Sequence, residues 1–334
     1  MTGAKKLVVG ASGFLGSHVT RQLVDRGDDV RVLIRRTSST KAIEDLDIEY
    51  HYGDVFDDDA LRAAMAGCDD VFYCVVDTRA WLRDPAPLFR TNVEGLRHVL
   101  EAAVDADLRR FVFTSTMGTI GIPADARRAT EKDRCNFFDK GGGYIRSRVE
   151  AEDLVLRYAR ERGLPAVALC VSNTYGPRDW QPTPHGGLLA AAAAGKLPAY
   201  VKGAASEVVG IEDAAAALIL AAEKGRNGER YIISERYMTI QELFATAAEA
   251  GGAKPPRFGI PLWAVYLAGY VGDAVGRVLK RDTPITSTSA RLSHILPPMD
   301  HSKAERELGW RPTPIHDSIR RAAEFYRENG IRGM

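Results

Sequence analysis

Two hydrophobic periods take turns along the first 170 residues of the chain. Short apolar runs bounded by turn residues predict buried strands at "KLVVGA" (6–11), "DVFYCVV" (70–76), "RRFVFTST" (109–116) and "PAVALCVSN" (165–173). "DVRVLIRR" (29–36) alternates as a strand does, and "IEYHYGDV" (48–55) is a shorter one. Between them the apolar spacing changes to that of a helix. Phe14, Val19 and Leu23 lie on one face of 13–27, which ends at Gly27. Segments 57–67, 87–106 and 143–163 predict three more helices, the second of them long, the first and third each ending at a Gly. Strand–helix alternation with short connections predicts an α/β chain built on a doubly wound parallel sheet.

After residue 173 the pattern loosens. Pro and Gly gather at 175–187, 251–261 and 295–300. "EVVGIEDAAAALILAAEKG" (207–225) predicts a strand and a helix that rejoin the first sheet, and 229–251 predicts another strand and a helix capped by Thr239, with Glu242 at capping-box spacing. "LLAAAAAG" (188–195) is a good helix former and nothing more. The expected organisation is a Rossmann-type cofactor domain over 1–172, rejoined at about 205–224, and a smaller α/β substrate-binding domain over 173–334. One apolar stretch, 260–279, is charge-free from Ile260 to Gly272, about 13 residues against the roughly 20 that a spanning helix needs. It predicts a buried or substrate-facing helix, with interfacial binding the alternative.

Net charge is +1, and no long block of like charge appears. This disfavours a nucleic-acid or membrane surface as the main partner and leaves a small molecule. Cys68, Cys74, Cys135 and Cys170 show no CxxC spacing and no His company, so no metal site is expected and buried reduced thiols are. "MTGAKK" runs directly into the first strand without a leader-like apolar stretch. A cytoplasmic location is the expectation.

Chemistry enters with "VVGASGFLGSHV". Gly10, Gly13 and Gly16 fall between strand one and helix one, where one glycine makes a tight turn, one admits a pyrophosphate and one lets helix and strand pack closely. The helix N-terminus then offers free N–H groups to phosphates. Strand two ends in Arg35 and Arg36 where an NAD-specific site needs a carboxylate, so the expected cofactor is NADP(H), with NAD(H) the alternative. "YIRSR" (144–148) places Tyr144 and Arg148 one helical turn apart. A fixed cation beside a Tyr favours phenolate and fits the Tyr for proton transfer.

The glycine spacing, "GDVFD" (53–57), "TNVEGLRHVL" (91–100), "RFVFTSTMG" (110–118), "YIRSR" and "NTYGP" (173–177) together resemble the extended short-chain dehydrogenase/reductase family over almost the whole chain. Within it the chain looks most like the branch of hopanoid-associated sugar epimerases, with dihydroflavonol-reductase-like and 3β-hydroxysteroid-dehydrogenase-like proteins near. The resemblance implies that Tyr144 transfers the proton, that Thr116 holds the substrate oxygen, and that Arg148 stands where the family has Lys. It implies that Asp54 and Val55 flank the adenine and that Ser115 lines the nicotinamide. Ser12, Phe14, Leu15 and Val171 complete the expected cofactor contacts, with Tyr144 and Arg148 among them. Asn173, Tyr175 and Asp77, with Arg79 beside it, are expected at the substrate end. The resemblance also implies a homodimer paired through helices at 88–106 and 144–162.

Two departures bear on substrate. Met117 and Gly118 follow Thr116 where sugar-nucleotide dehydratases carry an Asp–Glu pair. Ser206 and Glu207 stand where sugar-nucleotide epimerases carry a diphosphate-gripping Arg. Trp180, Trp263, Tyr266 and Tyr270 offer apolar walls instead. The expected activity is therefore an oxidoreductase acting on a largely apolar carbonyl or secondary alcohol. The alternatives are a sugar epimerase-type enzyme, or a cofactor-binding protein whose chemistry Arg148 has impaired.

Overall fold

The computed structural model describes residues 4–331; residues 1–3 and 332–334 of the expected domain spans lie outside it. In chain order the elements of the first half are β1 (Lys5–Val9), α1 (Phe14–Asp25), β2 (Asp29–Ile34), β3 (Glu49–Tyr52), α2 (Asp58–Met65), β4 (Asp70–Tyr73), α3 (Ala86–Phe89), α4 (Leu96–Val104), β5 (Arg110–Thr116), α5 (Phe138–Glu161) and β6 (Ala166–Val171). The second half adds β7 (Asn173–Tyr175), α6 (Pro184–Ala193), β8 (Ala199–Val201), β9 (Ala205–Gly210), α7 (Ile211–Lys224), β10 (Arg230–Ile233) and β11 (Arg236–Thr239). It closes with α8 (Ile240–Ala250), β12 (Phe258–Ile260), α9 (Leu262–Leu279), α10 (Ser287–Leu292), α11 (Ser302–Leu308) and α12 (Ile315–Glu328).

Seven parallel strands form the main sheet in the order β10-β6-β5-β4-β1-β2-β3. The expected doubly wound α/β architecture is present. Its strands alternate sides with period two. Val8, Val32, Phe72 and Val112 face the layer of α1 and α7, while Leu7, Val9, Leu33 and Phe113 face α2, α4 and α5. Covered on both faces, strands such as β6 have every residue buried, which is why they read as continuous apolar runs. The strand order reverses between β1 and β4, and their carboxyl ends open the crevice where ligands bind in such sheets.

Two expectations are corrected. Strand β9 leaves the main sheet: it pairs with β7 and β11 in a three-stranded sheet, and the strand that completes the main sheet is β10, beside β6. Only the helix after β9, α7, packs back against α1 and the main sheet. The long helix expected over 87–106 runs from Ala86 to Val104 and contains one wider π-helical turn at Arg90–Gly95. Helix α9 is not buried: Trp263 is 69% exposed and Val278 79%, and only Gly269 and Gly276 along it are buried.

Thr239 caps α8 as expected, accepting the Glu242 N–H at 3.1 Å. Helices α6, α8 and α12 close a second apolar core around Leu189, Phe244 and Phe325. Asp179 is buried at its edge. One carboxylate oxygen accepts from Tyr326 Oη at 2.8 Å and the other has no partner. Burial pushes this carboxyl up from 3.8 to about 6, against the opposing pull of the Tyr326 hydroxyl. A raised folded-state pKa means that the folded protein holds the proton more tightly, so stability falls as pH rises from about 4 to 6 and does not return above it. Asp179→Asn removes that ionisation. In urea titrations the variant should gain on wild type across this window, by up to about 3 kcal/mol at pH 8.

Candidate active site

The glycine turn after β1 is built as its spacing suggests. Gly10 has φ +89°, and a Cβ there would come within 2.9 Å of Val75 Cγ2. A Cβ on Gly16 would fall 2.3 Å from the Gly10 carbonyl oxygen, so helix α1 meets the turn at backbone contact. Gly13, exposed, caps α1 without a side-chain bond, and the first N–H groups of the helix stay open toward the crevice. Ser12, Phe14 and Leu15 are partly exposed around it.

At the end of β2 the two arginines part ways. Arg36 stacks over Tyr52 at 4.9 Å. Arg35 is exposed, and its side chain makes no hydrogen bond or ion pair among the described residues. Asp54 and Val55 follow β3. Asp54 lines a cleft of about 440 Å³ with Phe56, Pro87, Arg90 and Thr91, and Val55 lies so close to Gly95 that a Cβ there would meet it at 2.7 Å.

Helix α5 breaks at Gly142 (φ 68°, ψ −169°) and resumes at Gly143, so Tyr144 sits on its first continuous turn. Tyr144, Arg148 and Glu152 then fall at successive turns of one face. Tyr144 is half-buried beside Met117 and Ile145. Thr116 ends β5, and its hydroxyl accepts the Gly118 N–H at 3.3 Å. A Cβ on Gly118 would lie 2.5 Å from Ile145 Cδ1, so the absence of a side chain brings the Thr116 turn against the Tyr144 turn.

Arg148 is 1% exposed. Its guanidinium lies over Phe113 at 5.1 Å and donates to the Thr114 carbonyl at 2.5 Å, while Nε and Nη1 have no partner. The buried hydroxyl of Tyr73, at the end of β4, is also unpartnered. A buried cation with two idle donors is costly unless something supplies acceptors. The ribose hydroxyls and amide of a nicotinamide nucleotide are such acceptors, and the open Gly13 turn and free Arg35 fit its phosphates. The residues present therefore fit this cofactor.

Other expected contacts lie elsewhere. Ser115 turns to the α5 side and donates to Glu152 Oε2 at 2.5 Å, so its hydroxyl is spent inside the fold. Tyr175 is 3% exposed in the second core and does not face the crevice. Trp180 packs edge-on to Phe325 and under Lys41 rather than along a pocket. Asn173 donates to Ser206 Oγ at 2.9 Å. Glu207 points into the core, where it accepts from Met299 N at 2.6 Å and from Ser234, so its charge does not guard the crevice. Val171 is buried at the end of β6. Asp77 forms a two-pronged pair with Arg79, at 2.9 and 2.5 Å. Burial opposes ionisation of Asp77, and the Arg79 guanidinium outweighs it, holding the carboxyl below its usual range.

Two structural groups escaped the sequence reading. Asn92, fully buried in the π turn, accepts from Asp77 N at 2.8 Å and donates to the Asp77 carbonyl and to Ser147 Oγ, each at 3.1 Å. It ties the loop after β4 to α5. Glu152 pairs with Arg230 at 2.6 Å and also accepts from Thr119 at 2.8 Å. Its place two turns past Tyr144, on the same face, was the available signal.

Residues 6–234 match the NAD dependent epimerase/dehydratase family. The chain belongs to that family, and it is an NAD(P)-dependent oxidoreductase of the extended short-chain dehydrogenase/reductase type. It is 32% identical over 328 residues to the sterol demethylase protein B of Methylococcus capsulatus, covering 97% of this chain and 99% of that one. It is 29% identical over 329 residues to a 4-hydroxy-2-methyl-3-oxo-4-farnesyl-3,4-dihydroquinoline-1-oxide ketoreductase of Stigmatella aurantiaca, covering 95% and 96%. The crystal structure of gox2253 superposes with a TM-score of 0.86 at 33% identity, over 98% of both chains.

Glu152→Ala would leave Arg230 buried without its carboxylate. The expected loss is about 3–5 kcal/mol of folding stability, read from the urea midpoint.

Proposed function

We propose that the chain is an NADP(H)-dependent reductase or dehydrogenase of a small to medium, largely apolar carbonyl or secondary alcohol. The observation that carries the chemistry is Arg148, a buried guanidinium with two idle nitrogens one turn from Tyr144. A nicotinamide bound in the crevice supplies or accepts the hydride. Tyr144 gives its proton to the carbonyl oxygen in reduction and takes it from the hydroxyl in oxidation. Arg148 lies one helical turn from Tyr144, and its idle nitrogens would hold the ribose hydroxyls of the nicotinamide. Thr116 hydrogen-bonds the same oxygen and orients it.

The unpaired Arg35 supports NADP(H): no carboxylate stands at the end of β2 to receive ribose hydroxyls, and a guanidinium suits a 2′-phosphate. The apolar substrate class is supported by two relatives, one named a sterol demethylase protein and one a ketoreductase of a farnesylated dihydroquinoline oxide. It is supported too by Ser206, whose hydroxyl is engaged by Asn173 where an epimerase needs a cation.

Titration with NADPH and with NADH, followed by nicotinamide fluorescence, tests the cofactor. NADPH should bind more tightly, and Arg35→Ala should weaken it roughly tenfold while sparing NADH. NADH preference would revive the epimerase reading, and absence of binding by either would leave Arg148 as the mark of a silent site.

In a screen of apolar ketones, Tyr144→Phe should lose about 10²–10⁴ in turnover with NADPH affinity intact. Arg148→Lys should raise turnover, because the shorter ammonium is the better-placed point charge. Slower turnover of Arg148→Lys would mean that the guanidinium is the fitted group.

A further inference from the structure

Helix α9 inverts the usual arrangement of a surface helix. Its inward stripe is glycine. A Cβ on Gly269 would come within 2.8 Å of the Thr286 and Ser287 backbone, and one on Gly272 within 1.9 Å of the Ile285 carbonyl oxygen. Its outward stripe is Trp263, Leu267, Tyr270, Val271, Val275 and Val278, all exposed. Phe258 and Ile260, just before it on β12, are exposed as well. An 18-residue helix is about 27 Å long, so this is a continuous apolar strip and no scatter of single residues.

Charge distinguishes what covers it. Lys254 and Arg257 precede the strip, and Arg277, Lys280 and Arg281 lie at its other end. All five are exposed, and none has a side-chain hydrogen bond or ion pair among the described residues. Two carboxylates nearby accept from backbone N–H groups, Asp273 from Ser287 and Asp282 from Arg83 at 3.0 Å, and neither forms an ion pair with one of the five cations among the described residues. The strip is thus rimmed by free cations in a chain whose net charge is only +1. In a twofold contact between two copies these cations would meet one another, which disfavours self-association through this face. An anionic lipid surface answers both features: apolar side chains and an interfacial Trp and Tyr enter the acyl boundary, and Lys and Arg meet the headgroups. No helix among the described residues is long and apolar enough to cross a membrane, so the mode is lying on the surface.

We propose that α9 docks the protein peripherally on anionic lipid bilayers. Helix α10, packed on α9, reaches the start of α5, where a Cβ on Gly142 would meet Thr288 at 3.0 Å. Arg83, in the loop after β4, is joined to Asp282. Docking therefore sets the edge of the crevice next to the lipid. The inference does not depend on which carbonyl or cofactor the crevice takes.

Flotation of the full chain with vesicles tests it. Vesicles of equal phosphatidylglycerol and phosphatidylcholine should bind it roughly tenfold or more tightly than pure phosphatidylcholine, and salt should weaken binding. Leu267→Glu with Val271→Glu should abolish binding, and Lys280→Glu with Arg281→Glu should reduce it to the phosphatidylcholine level. Circular dichroism and cofactor affinity should be unchanged in both variants, which separates lost docking from lost folding. Absence of binding to either vesicle overturns the proposal. So does a wild-type dimer that Leu267→Glu with Val271→Glu converts to monomer, because the face would then belong to a second copy.

Discussion

The pairing of Glu152 with Arg230 fixes the helix on which the candidate site is mounted. Both side chains are nearly out of water, and neither is satisfied by the other alone. Glu152 also receives Ser115 from β5, Thr119 from the turn after it and the Cys170 thiol from β6. Arg230 also donates to the carbonyls of Glu131 and Asp133. A buried ion pair brings little net stability by itself, because desolvation consumes the Coulombic gain. Its value here is positional. A carboxylate held from three elements of the sheet allows α5 only one rotation about its axis, and that rotation sets where Arg148 and Tyr144 stand, one and two turns earlier.

With α5 fixed, the end of the crevice follows from contacts that leave little slack. Gly118 meets Ile145 where a side chain would not fit, so Thr116 and Tyr144 share one corner. Asn92 holds the loop after β4 to the same helix through three hydrogen bonds, which gives the wider turn at Arg90–Gly95 a physical role: it presents a buried amide sideways out of a helix. Arg148 is left with donors to spare. The fold bears the cost of burying that charge before any ligand arrives.

Much of this was legible in the sequence, and the reasons differ by element. The main sheet could be read because its strands are buried on both faces and its helices on one, so the period changes at each boundary. The glycine turn could be read because backbone approach leaves no alternative residue. Ser115 was misplaced because neighbouring strand residues face opposite sides, and its hydroxyl had a buried carboxylate waiting on the helix side. Strand β9 was misassigned because strand sequences record burial and not partners. The wider turn inside the long helix was invisible because Asn92 sits where a helical pattern tolerates one polar residue.

Helix α9 departs from its leading expectation, because an apolar stretch that suggests a buried or substrate-facing helix lies exposed. Hydrophobicity measures the cost of exposure to water, and burial inside the chain is only one way to avoid it. The glycines decide which way the helix turns. Gly269 and Gly272 admit the backbone of residues 285–287 at distances no side chain permits, so the helix presses its smallest face inward and its largest outward. Reversing it would set Trp263, Leu267 and Tyr270 against a backbone that has room only for hydrogen atoms. The same apolar composition that suggested a core element therefore builds a surface one, and the glycine spacing within it, rather than its mean hydropathy, is the feature that tells the two apart.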